Sequence, residues 1–290
     1  MLSICSILFF LESQSFGKEN FTPIIAIGDL HADLESSKKA FQIAGILNEK
    51  GEWIQDNIIV VQTGDLTDRG PDGETLLKWI QHLEEEAPKH NSQFYTLIGN
   101  HEAMNIKGDW RYVSPADVNS FGGLEKRQKS FSPGGFWSEW ILSHEAVLDI
   151  QGNVFVHGGV STRFAKDAKG LSYDVKSALR SGRNELVLQD NGPLWYRGYW
   201  QNTEELACSE ATFVLNKMNA SRMIMGHTTQ RDGKVHTRCD GRLIAIDTGI
   251  SRHYGENVAA IRIDENGVTA LYPDSSELIV PAELHIEPSR

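Results

Sequence analysis

The chain has 290 residues, with 28 Lys and Arg against 39 Asp and Glu, a formal charge of −11 when the ten histidines are neutral. Hydrophobic residues at 40% and charged residues at 23% give enough apolar side chain for a sizeable core and too little bias for a disordered chain. Without a Lys/Arg block the chain lacks the electrostatic term behind duplex and anionic-membrane binding, and three cysteines with no Cys-x-x-Cys pair exclude a zinc ribbon or a disulfide-dense miniprotein.

In chain order, Leu2 to Leu11 form an apolar run of leader length, too short to span a bilayer, closed by Glu12 and small residues at Ser13, Ser15 and Gly17. This predicts a secretory leader over 1–17, export to the periplasm or medium, and a single domain over 18–290, although no Lys or Arg precedes Lys18. If the run is not a leader, it is an apolar arm packed on a cytoplasmic domain. Cys5 lies inside it. With a leader removed, Cys208 and Cys239 remain, either joined, as export permits, or as two buried thiols.

Short β-branched runs then recur, several ending in Gly and a polar residue: Ile24 to Ile27, Ile58 to Val61, Tyr95 to Ile98, Val154 to Val156, Met223 to Met225 and Leu243 to Ile246. Such runs read as strands buried on both faces. Between them, helical periodicity covers Leu34 to Leu47 behind an Asp33 cap, Gly73 to Glu86, and Thr203 to Met218. Alternating strands and helices predict an α/β sandwich, with the ligand site at the carboxyl ends of the strands.

Those ends carry five motifs: Gly28-Asp29-Leu30-His31, Gly64-Asp65-Leu66-Thr67-Asp68-Arg69-Gly70, Gly99-Asn100-His101-Glu102, His157-Gly158-Gly159 and Gly226-His227. Oxygen and imidazole donors together suit divalent Mn, Fe, Zn or Co. Two such ions need an anionic bridge, which a strand-end Asp can supply, and can clamp a phosphoryl group while making an attacking water acidic. The glycines allow sharp turns. Asp29-x-His31 or Gly226-His227 alone is weak. A pattern as long as Gly64 to Gly70 arises by chance in roughly one chain of this length in ten thousand.

These motifs, with Ala103-Met104-Asn105, Gly108-Asp109-Trp110-Arg111-Tyr112-Val113 and Gly192-Pro193-Leu194-Trp195-Tyr196-Arg197, resemble the calcineurin-like metallophosphoesterases of the phosphoprotein phosphatase type, most nearly the Shewanella-like protein phosphatases, over about Ile24 to Tyr272. The resemblance implies a four-layer α/β/β/α metallophosphoesterase sandwich with a helical cap insertion at 104–150. It implies two metal ions, with Asp29, His31 and Asp65 on the first, Asp65 bridging, and Asn100, His157 and His227 completing the second. Arg69 and Arg197 would hold phosphate oxygens, and His101, oriented by Asp68, would protonate the leaving group after a metal-bridging hydroxide attacks phosphorus. Tyr254 would line the substrate site, and Arg111, close behind His101, is a further substrate-binding candidate.

Two positions depart from the family pattern. Ala32 replaces a glycine, which is tolerable where φ is negative, as expected here. Thr228-Thr229 after Gly226-His227 removes the Gly-His-x-His ending of other branches and favours the phosphatase branch. His82, His90, His144, His236, His253 and His285 read as ordinary structural or surface residues, Asp247 as a turn, and Trp137 and Trp140 as a small helical core. The substrate expected is a phosphorylated protein, on Tyr or on Ser/Thr. The alternatives are a small phosphomonoester or dinucleoside polyphosphate, or a scaffold that binds without turnover. No nucleic-acid partner and no stable membrane span are expected.

Overall fold

The computed structural model describes residues 21–183 and 185–282, so the leader expected at 1–17, Cys5 and His285 lie outside the described residues. Two sheets face each other. The strands are β1 (Ile24–Ile27), β2 (Ile59–Gln62), β3 (Gln93–Thr96), β4 (Val147–Ile150), β5 (Asn153–Val156), β6 (Arg222–Met225), β7 (His236–Arg238), β8 (Leu243–Ala245), β9 (Ala260–Asp264), β10 (Gly267–Tyr272) and β11 (Ser275–Pro281). One sheet runs β11-β10-β9-β1-β2-β3 and the other β4-β5-β6-β8-β7. The parallel pairs are β1 with β2 and β2 with the edge strand β3 in the first sheet, and β5 with β6 and β6 with β8 in the second; the remaining pairs are antiparallel.

Side-chain alternation along the strands builds the layers. Ile24, Ala26, Ile59, Val61, Phe155, Ile224 and Ile244 form the core between the sheets, while Ile25, Ile27, Val60, Val154, Val156, Met223 and Met225 face the helices. The outer layers include α1 (Leu34–Ile43), which buries Phe41, and α2 (Gly73–Glu86), which buries Leu76, Leu77 and Ile80. After α3 (Asn100–Ile106), the segment expected as a cap holds α4 (Pro115–Ser120), α5 (Leu124–Phe131) and α6 (Phe136–Ser143). Trp137 is buried there against Trp140. Then α7 (Ala168–Ser181), α8 (Gly198–Gln201) and α9 (Glu204–Met218) follow. This is the four-layer arrangement expected.

Elements differ from the sequence reading where tertiary context intervenes. The β3 strand sits at a sheet edge, begins two residues earlier than its apolar run and is exposed at Gln93. Helix α1 stops at Ile43, because the chain then turns through Gly45 at φ +71° to pair Leu47 with Trp53. The meander β9–β11 is half exposed and lacks a continuous apolar run. Cys208 in α9 and Cys239 after β7 are joined by a disulfide with Cα atoms 5.3 Å apart, which resolves the two alternatives. Among the described residues no helix is long and apolar enough to cross a membrane.

Candidate metal centre

The loops leaving β1, β2, β3, β5 and β6 bring the motifs together at the strand carboxyl ends. His31 Nε2 stands 3.8 Å from Asp29 Oδ2 and 3.7 Å from Asp65 Oδ2, and His157 Nε2 stands 3.2 Å from the same Asp65 oxygen and 2.8 Å from Asn100 Oδ1. Two groups of ligand atoms lie within 4.8 Å of one another: His31, Asp65 and His101; and Asp65, His157 and His227. Asp65 belongs to both, the position a bridging carboxylate requires. All of these side chains are buried.

Three of these four imidazoles have one nitrogen committed to a backbone carbonyl: His31 Nδ1 to Thr67 at 3.3 Å, His157 Nδ1 to Thr63 at 2.9 Å, and His227 Nε2 to Trp195 at 3.1 Å. A carbonyl only accepts, so these nitrogens carry the proton and the opposite ones offer lone pairs to the centre, the orientation that metal-ligating histidines need. Lone pairs of His157, Asn100 and Asp65 then face one another at hydrogen-bond distance. That arrangement is repulsive unless a cation lies among them, so the donor set fits divalent metal.

The electrostatics agree. Burial, reinforced by the nearby Asp247 and Asp65, pushes the Asp29 carboxyl well above its usual range, and burial together with Asp65 raises Asp247. Burial would raise Asp65 as well, but the imidazoles of His157, His101 and His31 outweigh it and hold this carboxylate well below the usual range. Burial lowers His31 to about 3 and also drives His227 well down, assisted by His157 and Arg197. A buried cluster of carboxylates in which burial holds His31 and His227 neutral is short of positive charge.

Close backbone approach makes the geometry possible. A Cβ at Gly99 would come within 2.2 Å of Asp65, and one at Gly226 within 2.3 Å of Asp29 Oδ1, so both positions demand glycine for space. His227 N–H donates to Asp29 at 3.1 and 3.2 Å, and His101 N–H to Asp65 Oδ1 at 2.9 Å. His31, Asp65, Asp68, Arg69 and His227 adopt positive φ, a concentration of backbone strain at the site. Ala32 does so too, at +51°, so the negative torsion expected there is not found. Its N–H donates to Leu66 O at 2.7 Å and its carbonyl accepts from Asp72 at 2.8 Å, which hold a conformation costing roughly 1–2 kcal/mol.

Beside the acids lie His101 and two arginines. His101 Nδ1 is 2.7 Å from Asp68 Oδ2 while Nε2 points toward Asp65 at 3.8 Å. Burial disfavours its imidazolium, yet Asp65 and Asp68 outweigh burial and raise the ring above its ordinary range. The Arg69 guanidinium stacks 3.8 Å from the centroid of Tyr112, with Nε buried and without a partner. Arg197 Nη1 donates to the His227 carbonyl at 2.6 Å and to the Thr228 hydroxyl at 3.4 Å, and among the described residues no carboxylate forms an ion pair with it. Both cations therefore remain available to an anion. Arg197 also lines a groove of about 600 Å³ with Gln201, Thr228, Thr229, Arg231, His253 and Tyr254. The Tyr254 ring is 4.9 Å from that of His31.

Arg111 is placed differently: it is exposed, with its guanidinium on Asp109 at 2.6 and 2.9 Å. The adjacent Tyr112 turns inward, 5.1 Å from the His101 ring. Sequence reasoning assigned no role to Tyr112, Glu102 or Asn105. Glu102 accepts N–H bonds from Asp65, Leu66, Thr67 and Gly99 at 2.8–3.0 Å, stitching two motif loops together. Its place directly after His101 in the third motif was the available signal. Asp247 does make the expected turn, accepting Gly249 N–H at 3.1 Å, but its other oxygen takes the Thr229 hydroxyl and it borders the acidic cluster.

Acceptors that require cations, opposite guanidinium groups that require an anion, match the hydrolysis of phosphate esters on metal ions, and fold and site together define a metallophosphoesterase. Residues 22–231 match the calcineurin-like phosphoesterases, and the chain belongs to that family. It is 37% identical over 266 residues to an uncharacterized protein of Schizosaccharomyces pombe, covering 86% of this chain and 80% of the relative. It is 30% identical to Shewanella-like protein phosphatase 1 of Plasmodium berghei, covering 86% and 73%. In fold it is similar to the cold-active protein-tyrosine phosphatase of a psychrophilic Shewanella sp., with TM-score 0.77, 23% identity, and coverage of 89% and 80%.

Proposed function

We propose that this chain is a two-metal phosphoprotein phosphatase. The observation that carries the reading is the sharing of Asp65 between two groups of buried ligands, with the His101–Asp68 pair and two unneutralised arginines at their edge. Asp29, His31 and Asp65 would hold one ion, and Asp65, Asn100, His157 and His227 the other. When bound, two divalent ions of Mn, Fe, Zn or Co type supply charge stabilisation at the phosphoryl oxygens and an acidified water. Arg69 and Arg197 grip the remaining phosphate oxygens, as planar guanidinium groups do in pairs of hydrogen bonds. His101 gives its Nε2 proton to the departing oxygen, with Asp68 holding its other face.

A protein substrate is supported by the likeness to a relative named a protein phosphatase and by the open groove beside Arg197. Tyr254 would lie along that substrate. Export after removal of residues 1–17 is part of the proposal, supported by the apolar start and by the Cys208–Cys239 disulfide, a bond characteristic of oxidising compartments. The intact mass of the native protein tests export, and retention of the N-terminus rejects it.

The deciding experiment is phosphate release from phosphotyrosyl and phosphoseryl/threonyl peptides beside mononucleotides, diadenosine tetraphosphate and p-nitrophenyl phosphate, with each metal added in turn. Metal-dependent turnover preferring phosphopeptides is expected. Preference for nucleotides overturns the protein substrate, and no release with any metal overturns the enzyme. Asp65→Asn is expected nearly to abolish turnover in a folded protein, and activity close to wild type would refute the metal-bridging assignment.

A further inference from the structure

Helix α5 carries the charge-rich run Glu125-Lys126-Arg127-Gln128-Lys129, in which Lys126 and Lys129 are exposed. Arg127 departs from it: its side chain is 1% exposed, on the same helical face as the buried Phe131 four residues on. Its guanidinium lies 5.1 and 4.9 Å from the ring centroids of Phe121 and Phe131. Every arm has an assigned partner. Nε donates to Asp117 Oδ2 at 2.9 Å, Nη1 to Asn105 Oδ1 at 2.6 Å, and Nη2 to Asp68 Oδ1 at 3.1 Å.

The partner Asp68 divides its two oxygens. Oδ2 faces His101 Nδ1, and Oδ1 accepts from Arg127 and from Asn105 Nδ2 at 3.0 Å. Asn105 is itself tied to the acid, donating to the His101 carbonyl at 2.8 Å. On the far side, Asp117 in α4 is pressed so closely on Gly73 that a Cβ there would fall 1.8 Å from its Oδ1. Arg127 thus connects a rigidly seated carboxylate in the helical segment to the carboxylate that orients the imidazole. An unpaired charge would not be retained at such depth, and a planar fork that reaches three separate partners is a geometry lysine cannot reproduce.

We infer that Arg127 is a positioning residue for the acid step: by holding Asp68 through Oδ1 it fixes the direction of His101 Nε2 toward the leaving oxygen. The inference rests on the phosphatase reading above. As the ester P–O bond breaks, the leaving oxygen takes the Nε2 proton and the N–H electron pair stays on nitrogen. The ring, now neutral, keeps its Nδ1–H on Asp68 and is reprotonated by solvent. Without Arg127, Asp68 Oδ1 keeps only the Asn105 Nδ2 bond and Asn105 loses its own anchor, so the carboxylate is held less firmly and the proton arrives poorly aimed. The charge of the metal site is untouched, so the loss falls on substrates whose leaving group needs a proton.

Leaving-group dependence therefore separates this role from a structural one. Two variants are measured, Arg127→Lys, which keeps the buried charge, and Arg127→Met combined with Asp117→Asn, which removes a cation and an anion together. Melting temperature and bound metal per chain verify that each is folded and loaded. Relative to wild type, kcat on phenyl phosphate is expected to fall about 30-fold or more in the double variant, and less in Arg127→Lys, a part of the roughly 100- to 10,000-fold that a general acid contributes. On 2,4-dinitrophenyl phosphate, whose phenolate departs unprotonated, kcat should change less than about threefold. Equal losses on both substrates, or no loss on phenyl phosphate in the folded variants, overturn the inference. His101→Asn in the same series isolates the underlying reading: if it loses both substrates equally, the acid assignment fails. If it shows the selectivity and the Arg127 variants do not, only the role of Arg127 fails.

Discussion

Asn100 Oδ1 lies 2.8 Å from His157 Nε2, while His157 Nδ1 is committed to the Thr63 carbonyl at 2.9 Å. With its proton on Nδ1, a neutral His157 turns a lone pair toward the Asn100 oxygen and the neighbouring Asp65, a contact that a bound cation would relieve. Bound metal would therefore add to folding stability as well as to chemistry.

Chelation should show it. With metal at about a hundred times its dissociation constant, binding contributes about 2.7 kcal/mol, which for a domain of this size corresponds to roughly 5–10 °C in melting temperature. Melting with and without a chelator, followed by readdition of Mn or Zn, checks this. An unchanged melting temperature would contradict the arrangement of the ligands.

Glu102 should matter to stability more than its position outside the metal groups suggests. Its carboxylate satisfies four backbone N–H groups and the Thr67 hydroxyl in a fully buried setting. Glu102→Ala leaves these donors unpaired, and a loss of about 3–5 kcal/mol is expected. Urea unfolding measures it, and a variant within about 1 kcal/mol of wild type would show that water replaces the carboxylate.

Arg69 offers a substrate-side test. Its guanidinium is oriented by stacking on Tyr112 and by its own N–H bond to the Tyr112 carbonyl at 3.0 Å. Lysine keeps the charge but loses the fork, so Arg69→Lys should lower kcat/KM by about 10- to 100-fold, the value of a charge-assisted hydrogen bond or two, without changing the melting temperature. Unaltered kinetics would remove Arg69 from phosphate binding.

A pH effect on stability follows from Asp33. It caps α1 through Ser36 N–H and accepts Arg252 Nε at 2.9 Å and Nη2 at 3.1 Å, tying α1 to the turn that carries Tyr254. Burial opposes its charge, but the hydrogen bonds from Arg252 and Ser36 prevail and hold the carboxyl below its usual value. A depressed folded-state value means that this contribution is present above the unfolded pKa near 3.9 and is lost as pH falls through the folded value. Asp33→Asn should accordingly be less stable than wild type at pH 7, with the difference shrinking below about pH 4. Denaturant unfolding at the two pH values reads it, and a difference that does not vary with pH would show that charge is not involved.

What the sequence determined by itself was whatever is local: strands with apolar residues on both faces, and a Gly with an Asp, Asn or His at the end of each. Those patterns placed Asp29, His31, Asp65, Asn100, His101, His157 and His227 before any coordinates, because a strand end and the residue after it are neighbours in sequence and space alike. Only the tertiary structure brought Arg127 to Asp68 across 59 positions and Arg252 to Asp33 across 219. It also turned Tyr112 rather than Arg111 toward His101, held Ala32 in the left-handed region and joined Cys208 to Cys239. Within α5 the exposed Lys126 and Lys129 and the buried Arg127 are alike as letters of a charge run. The difference is set by the Asp117, Asn105 and Asp68 oxygens that fold against one face of that helix, and such pairing leaves no local trace.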